Sequence, residues 1–251
     1  MLEYVVITGW RNQKSIIELK YLVHLTTLCI EDCENLESFP DNELPNLTSL
    51  KRLEITECRS MDACFPGGIW PPNLCSLRIG KLKKPILEWG PQNFPISLVE
   101  LSLYGGEDGV SSCSELSLLL PSSLTSLQIS GFEKLESVSM GLQHLTSLQH
   151  LNFWNCPNLK KVSDLQHLTS LQDLSFINCP SLKELSHPQP HTSLQQLSFD
   201  RCPNMMDLPE MILPSLFRLE IGGNCPKLKE RWSKSGSHWP LISHIPCIYI
   251  W

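Results

Sequence analysis

Eleven cysteines in 251 residues make thiol chemistry the first candidate for this sequence. Five of them, Cys33, Cys58, Cys156, Cys179 and Cys202, recur in similar surroundings, and the last three are each followed by proline. Thiols in series can ligate a metal, pair as disulfides or supply a nucleophile. A tetrahedral zinc site is closed by paired ligands such as C-x-x-C, and the sequence contains no such pair. A nucleophilic thiolate needs a base and an electropositive surrounding. The nearest imidazole to Cys156 is His150, while His144 and His167 recur ahead of Thr-Ser-Leu and read as surface residues of a repeating pattern. His187 and His191 have H-x-x-x-H spacing, but Pro188 and Pro190 preclude the helix that would converge them on a metal. No phosphate-binding G-x-x-x-x-G-K-[ST], no G-x-G-x-x-G and no H-E-x-x-H occurs, so no enzyme is expected.

Bulk properties narrow the remaining classes. Apolar residues make up 41% and charged residues 18%, a globular composition. A net charge of −6 argues against nucleic-acid binding, which calls for a basic stripe. No apolar run approaches the roughly 20 residues that cross a bilayer. The start, MLEYVVITGWRNQK, lacks the basic and apolar regions of a secretory signal. A reduced, cytoplasmic chain is therefore expected, its thiols acting as small buried hydrophobes. The sequon at Asn46-Leu47-Thr48 carries little weight in that compartment.

The elements that must position these residues come from a repeat. An L-x-x-L-x-L frame starts at Leu2, Leu25, Leu50, Leu74, Leu98, Leu124, Leu148, Leu171, Leu194, Leu216 and Ile245. The spacing, from 22 residues (Leu194 to Leu216) to 29 (Leu216 to Ile245), is that of a leucine-rich repeat. Alternation in L-x-L turns two apolar side chains to one face of a short strand, which is buried only when copies stack. The sequence thus predicts one leucine-rich-repeat domain over residues 1–251, a horseshoe solenoid of about eleven repeats. It has a curved parallel β-sheet on the concave face with one short strand per repeat, and mostly loops and short helical turns on the convex face. Leu36, Leu135, Leu159, Leu182, Met205 and Leu228 return the chain beneath the core. Residues 105–121 are expected to form a convex insertion or loop. Residues 226–236, PKLKERWSKSG, predict a short solvated helix ended by glycine, with Lys227, Lys229, Arg231 and Lys234 as a basic patch.

This frame assigns the thiols. Cys33, Cys58, Cys156, Cys179 and Cys202 fall three residues past the last strand apolar residue, where a small side chain tucks inward, so a structural thiol ladder is expected. Asn224 takes that place in the tenth copy, with Cys225 displaced by one. His150 faces the opposite, concave side, away from Cys156.

Chemical variety is left to the outward strand positions, which form three columns. The candidate partner-binding residues are Arg52, Glu100, His150, Asp173 and Arg218 in the first, and Glu54, Arg78, Gln128, Asn152 and Ser175 in the second. Tyr104, Trp154, Ile177 and Asp200 follow in the third. Tyr104, Trp154 and Ile177 are expected to present large apolar groups to solvent, as interface anchors do.

The stretches LTSLQHLNFWNCPNLKKV and LTSLQDLSFINCPSLKEL, with the ending CPKLKERWSKSGSHWPLISHIPCIYIW, resemble the C-terminal repeats of plant intracellular disease resistance proteins. These are the nucleotide-binding leucine-rich-repeat receptors, particularly the coiled-coil subclass. The resemblance implies a non-enzymatic domain that perceives pathogen effectors or modified host proteins and restrains the receptor switch, with the receptor's nucleotide-binding module as a possible internal partner. No cofactor is expected on this chain, since nucleotide would be held by an upstream module. Starting inside a repeat without a polar cap, the chain is expected to be a fragment of a larger receptor. The alternative is the substrate-recognition arm of an F-box-type ubiquitin-ligase adaptor. An extracellular ectodomain would show L-x-G-x-I-P repeats and several sequons, and a cysteine enzyme has the least support.

Overall fold

The computed structural model describes residues 2–16, 19–39, 44–62, 70–90, 92–106, 109–186 and 193–251. They fall in two compact units, Met1–Asp108 and Gly109–Trp251. In the first unit, β1 (Tyr4–Thr8), β2 (Thr27–Glu31), β3 (Arg52–Thr56), β4 (Ser76–Gly80) and β5 (Glu100–Tyr104) each take one repeat. Each pairs in parallel with the next, in the register of the L-x-L frame.

The second unit contains β6 (Ser126–Ser130), β7 (Ser137–Val138), β8 (His150–Trp154), β9 (Lys161–Val162), β10 (Asp173–Ile177) and β11 (Glu184–Leu185). It is completed by β12 (Gln196–Asp200), β13 (Arg218–Gly222) and β14 (Cys247–Ile250). Its main ladder runs β6-β8-β10-β12-β13-β14, parallel throughout. A strand per repeat, paired in sequence order, is the leucine-rich-repeat fold.

Apolar alternation decides which side of each strand is buried. Leu28, Ile30, Leu53, Ile55, Leu77 and Ile79 in the first unit are fully buried, as are Leu127, Ile129, Leu151 and Leu197 in the second. The predicted return positions Leu36, Leu135, Leu159, Leu182, Met205 and Leu228 are likewise at 0% exposure. Each such side chain removed from water contributes about 1.5–3 kcal/mol. Phe153, Phe176 and Phe199 continue one column as stacked rings, with centroids 5.4 and 5.3 Å apart.

The turn after most strands uses a left-handed residue. Asp32, Glu57, Lys81, Asn155, Asn178 and Arg201 have φ between 52° and 57°, and Gly9 and Gly131 take the same place at 67° and 68°. The N–H of Asn155 donates to Ile177 O (2.9 Å) and that of Asn178 to Asp200 O (2.8 Å), so the ladder gains one bond before the chain turns in. Asn178 Nδ2 also donates to Asn155 Oδ1 at 2.7 Å. Asn tolerates this backbone and a β-branched residue does not. Asn178→Val is expected to cost about 1–2 kcal/mol in urea denaturation, against near-neutrality for Asn178→Gly.

Alongside the expected loops and turns of the return segments, β7, β9 and β11 form a second, short parallel ladder. Val138, Val162 and Leu185 are its buried members, and the near-constant repeat length brings them into register. Within the stretch expected as an insertion or loop, Cys113–Leu119 is a 3-10 helix with a capping box between Ser112 and Glu115. It buries Cys113, Leu116 and Leu119. Finally, α1 (Pro226–Trp232) ends at Ser233 rather than at Gly236, and it is docked rather than solvated. Leu228 and Trp232 are at 0% exposure, and Trp232 Nε1 donates to Asp207 Oδ1 at 3.1 Å. Its cations are tied down too. Arg231 pairs with Asp207 (2.8 Å), Lys229 Nζ donates to Gly223 O (2.7 Å) and Lys227 Nζ to Asn204 Oδ1 (3.2 Å). The turn α2 (Trp239–Ile242) then leads to β14.

Candidate functional site

Inward at the strand ends lie the thiols, and each is built into the backbone. Cys33, Cys58, Cys156, Cys179 and Cys202 are all fully buried. Every one donates across to a carbonyl of the preceding strand: Cys33 to Ile7 O (3.8 Å), Cys58 to Ile30 O (3.9 Å), Cys156 to Ile129 O (3.7 Å), Cys179 to Phe153 O (3.8 Å) and Cys202 to Phe176 O (3.6 Å). Cys225 Sγ makes the matching bond to Phe199 O at 3.9 Å, and also accepts from Cys202 N at 3.2 Å. The tenth place in the ladder therefore belongs to Cys225, and Asn224 is exposed. The turn after β13 takes left-handed Gly223 (φ 51°) at the usual place and holds one more residue, Asn224, before Cys225.

Burial pushes the Cys58 thiol up to about 12. The neighbouring thiols Cys156 and Cys179, respectively, together with burial, push Cys179 and Cys202 up to about 12. Such thiols stay protonated at neutral pH, the reverse of what a nucleophile or metal ligand needs. All ten cysteines among the described residues are free. Among these residues no group of three His, Cys, Asp or Glu side chains is disposed to hold a metal. His187 and His191 lie outside the described residues.

Outward, the strand register produces the three columns as expected. Cys247 extends the first column opposite Arg218, a position the frame at Ile245 already implied. Not every outward position is open. Thr56, Ser76 and Ser130 are only 5%, 8% and 4% exposed. Gly80 has no room for a side chain at all, since a Cβ there would lie 1.8 Å from Tyr104 O.

In the first unit, Arg52 and Glu100 are exposed on the first column. Glu54 accepts an ion pair from Arg78 at 3.5 Å. Arg78 also donates to the Tyr104 hydroxyl, and its guanidinium lies 5.5 Å from that ring's centre. Tyr104 is thus half-buried and engaged rather than freely presented to solvent. The Cys29 thiol, beside Glu54 on the strand before it, is raised to about 11 by burial and then by Glu54 and Glu31.

In the second unit, β8 and β10 bring His150 and Asp173 side by side, with His150 Nδ1 2.5 Å from Asp173 Oδ2. Ser126 stands opposite His150 in the same column, giving a hydroxyl–imidazole–carboxylate series. Such a series is the composition of an acyl-transfer triad, but only the imidazole–carboxylate contact is formed. The second column sets half-buried Gln128, Asn152 and Ser175 on successive strands. Gln128 Nε2 and Asp173 Oδ1 are enclosed with no hydrogen-bond partner among the described residues. The third column carries Trp154 at 42% exposure beside half-buried Ile177, which is less open than expected, and then Asp200, bound by Arg201 Nε at 3.0 Å. Arg218 is occupied by Glu220 (2.6 Å) and by the Tyr249 ring, 4.9 Å from its centre. Arg218 and Glu220 are thereby matched internally, while Trp154, at 42% exposure, and Tyr249, at 46%, are the large apolar groups this face leaves open.

Among the described residues no helix is long and apolar enough to cross a membrane. Residues 107–208 match the family model for the BspA type leucine rich repeat region, in six copies. Over 139 residues, 54% of the chain, the sequence is 30% identical to an Arabidopsis thaliana protein named for disease resistance. The chain spans 10% of that relative's length. Among solved structures, the Toll–Spätzle complex of Drosophila superposes with a TM-score of 0.59 and 18% identity, covering 86% of this chain and 34% of the other. The leucine-rich-repeat domain of the type III effector XopL gives 0.52 and 15% identity over 98% of this chain and 75% of the other. Strand order, register and these likenesses agree on one conclusion, that the chain carries the leucine-rich-repeat fold.

Proposed function

We propose that this chain is a non-enzymatic protein-recognition domain, reading its partner with the outward strand face. The observation that carries the reading is the contrast between a constant buried frame and variable outward columns, with Trp154 exposed among polar neighbours. A rigid scaffold bearing a diverse face with an aromatic anchor is the arrangement of a protein interface. The likeness to a protein named for disease resistance supports placing it in a plant intracellular immune receptor of the coiled-coil nucleotide-binding class. There it would sense pathogen effectors or modified host proteins from the cytoplasm, and restrain a nucleotide switch carried by another module of the same receptor.

Trp154→Glu is expected to abolish partner capture by the purified chain, and Tyr104→Glu, at a ring already engaged by Arg78, to weaken it, both leaving far-UV circular dichroism unchanged. The readout is photo-crosslinking from infected-leaf extract through a photoreactive side chain at Ser175. Undiminished crosslinking in both variants would remove the strand face from the reading. The coding sequence upstream of Met1 separates receptor from ligase adaptor, a phosphate-binding loop marking the first and an F-box the second.

A further inference from the structure

We propose that the outward face of β8, β10 and β12 takes a basic, apolar protein segment, with arginine or lysine side chains on Asp173 and Asp200 and a large apolar side chain on the ledge of Trp154 and Ile177. This deepens the recognition reading and rests on it. The nine outward positions of these strands hold two carboxylates, Asp173 and Asp200, and no lysine or arginine. Asp200 has Arg201 beside it, but that guanidinium belongs to the turn and is largely exposed, free to be exchanged for a partner's. Asp173 spends Oδ2 on the His150 imidazole and leaves Oδ1 enclosed and unpaired.

An unpaired buried carboxylate oxygen is costly, and a donor that reaches it recovers that cost on binding. The His150 side chain, 42% exposed, holds Oδ2. Turning it outward frees that oxygen for a guanidinium, whose second prong then has Oδ1 beside it.

Spacing fits the same occupant. Trp154, Ile177 and Asp200 face one another on successive strands, so the anchor and the second carboxylate are about 10 Å apart. Three residues of extended chain span that distance. The lane between the first and third columns is floored by Asn152, Ser175 and Ser198, polar groups short enough to leave it open. Its width, four residues along a strand, is about 13 Å, enough for an extended segment.

The test measures fluorescence anisotropy of a short labelled peptide bearing a leucine pair followed by an arginine pair, titrated with the full chain at low salt. Asp173→Asn with Asp200→Asn is expected to weaken binding at least about tenfold, as is Trp154→Ala. Asp200→Asn alone should weaken it severalfold, which keeps the test valid if Asp173→Asn disturbs folding. A control pair of exposed carboxylates, Glu133→Gln with Glu230→Gln, changes net charge equally and should leave binding unchanged. Equal affinity for the same peptide with glutamates in place of arginines would overturn the proposal, as would an equal loss in the control pair. Should Ser175 crosslink to a partner through an acidic segment, the recognition reading stands and this inference falls.

Discussion

Phe176→Ala is expected to destabilise the chain by about 3–5 kcal/mol, the largest effect of any single truncation proposed for it. Phe176 is the middle ring of three, stacked on Phe153 at 7° and on Phe199 at 12° between planes. All three are fully buried. The substitution removes two ring contacts, each worth about 0.5–1.5 kcal/mol beyond burial, and leaves a cavity that rigid flanking strands cannot close. A repeat protein magnifies the loss, because each repeat is held only by its neighbours. Urea denaturation followed by circular dichroism should show a lower midpoint and a broadened or divided transition. Phe199→Ala, which removes one stacking contact instead of two, should cost less. A loss below about 1 kcal/mol in Phe176→Ala would mean that the ring stack is not a stabilising element.

Alkaline pH should destabilise the protein through its thiol ladder. Cys58, Cys179 and Cys202 are each pushed up to about 12 from an ordinary 9.0. Between those values an unfolded chain has released the thiol proton and the folded chain still holds it. The unfolded state then binds fewer protons, so stability falls as pH rises above about 9 and levels off near 12. Each thiol contributes on the order of 1 kcal/mol per pH unit across that window. The check is urea stability at pH 8 and pH 10 for the native chain and for Cys179→Ala with Cys202→Ala. The double variant starts lower, because two small cavities are created, but its decline with pH should be shallower. Parallel slopes would show that these thiols do not titrate on unfolding. Alkylation of Cys179 at neutral pH should likewise be slow until the chain is unfolded.

The ladder also shows where sequence reasoning stops. Cys156, Cys179 and Cys202 could be placed inward because each stands at a fixed offset from a strand leucine. Cys225 could not, since its turn holds one more residue, and a local offset does not say which residue the longer turn will tuck in. The same limit applies at α1. Its composition suggested a solvated basic helix, whereas Asp207, 25 residues away from Trp232, receives both the indole and Arg231. A partner so distant in the chain leaves no periodic trace near the helix.

For the outward face, membership and order of the columns were legible, because side chains alternate and repeats align by their leucines. Openness was not. Trp154 is exposed while Ser130, beside it in the same column, is buried, and in the first unit Tyr104 is drawn down by Arg78. What the sequence by itself determined is the frame of one strand per repeat, the buried leucines and the three columns, all consequences of a two-residue alternation repeated at nearly constant length. What only the tertiary structure decided is which outward groups satisfy one another and which are left unsatisfied: Arg218 with Glu220, His150 with Asp173, and the enclosed Asp173 Oδ1 and Gln128 Nε2. The His150–Asp173 contact joins side chains 23 residues apart in sequence, on strands about 5 Å apart. Arg218 and Glu220, two residues apart on one strand, share the Tyr249 face of the next strand. Which groups are left over is set by packing and absent from any local pattern.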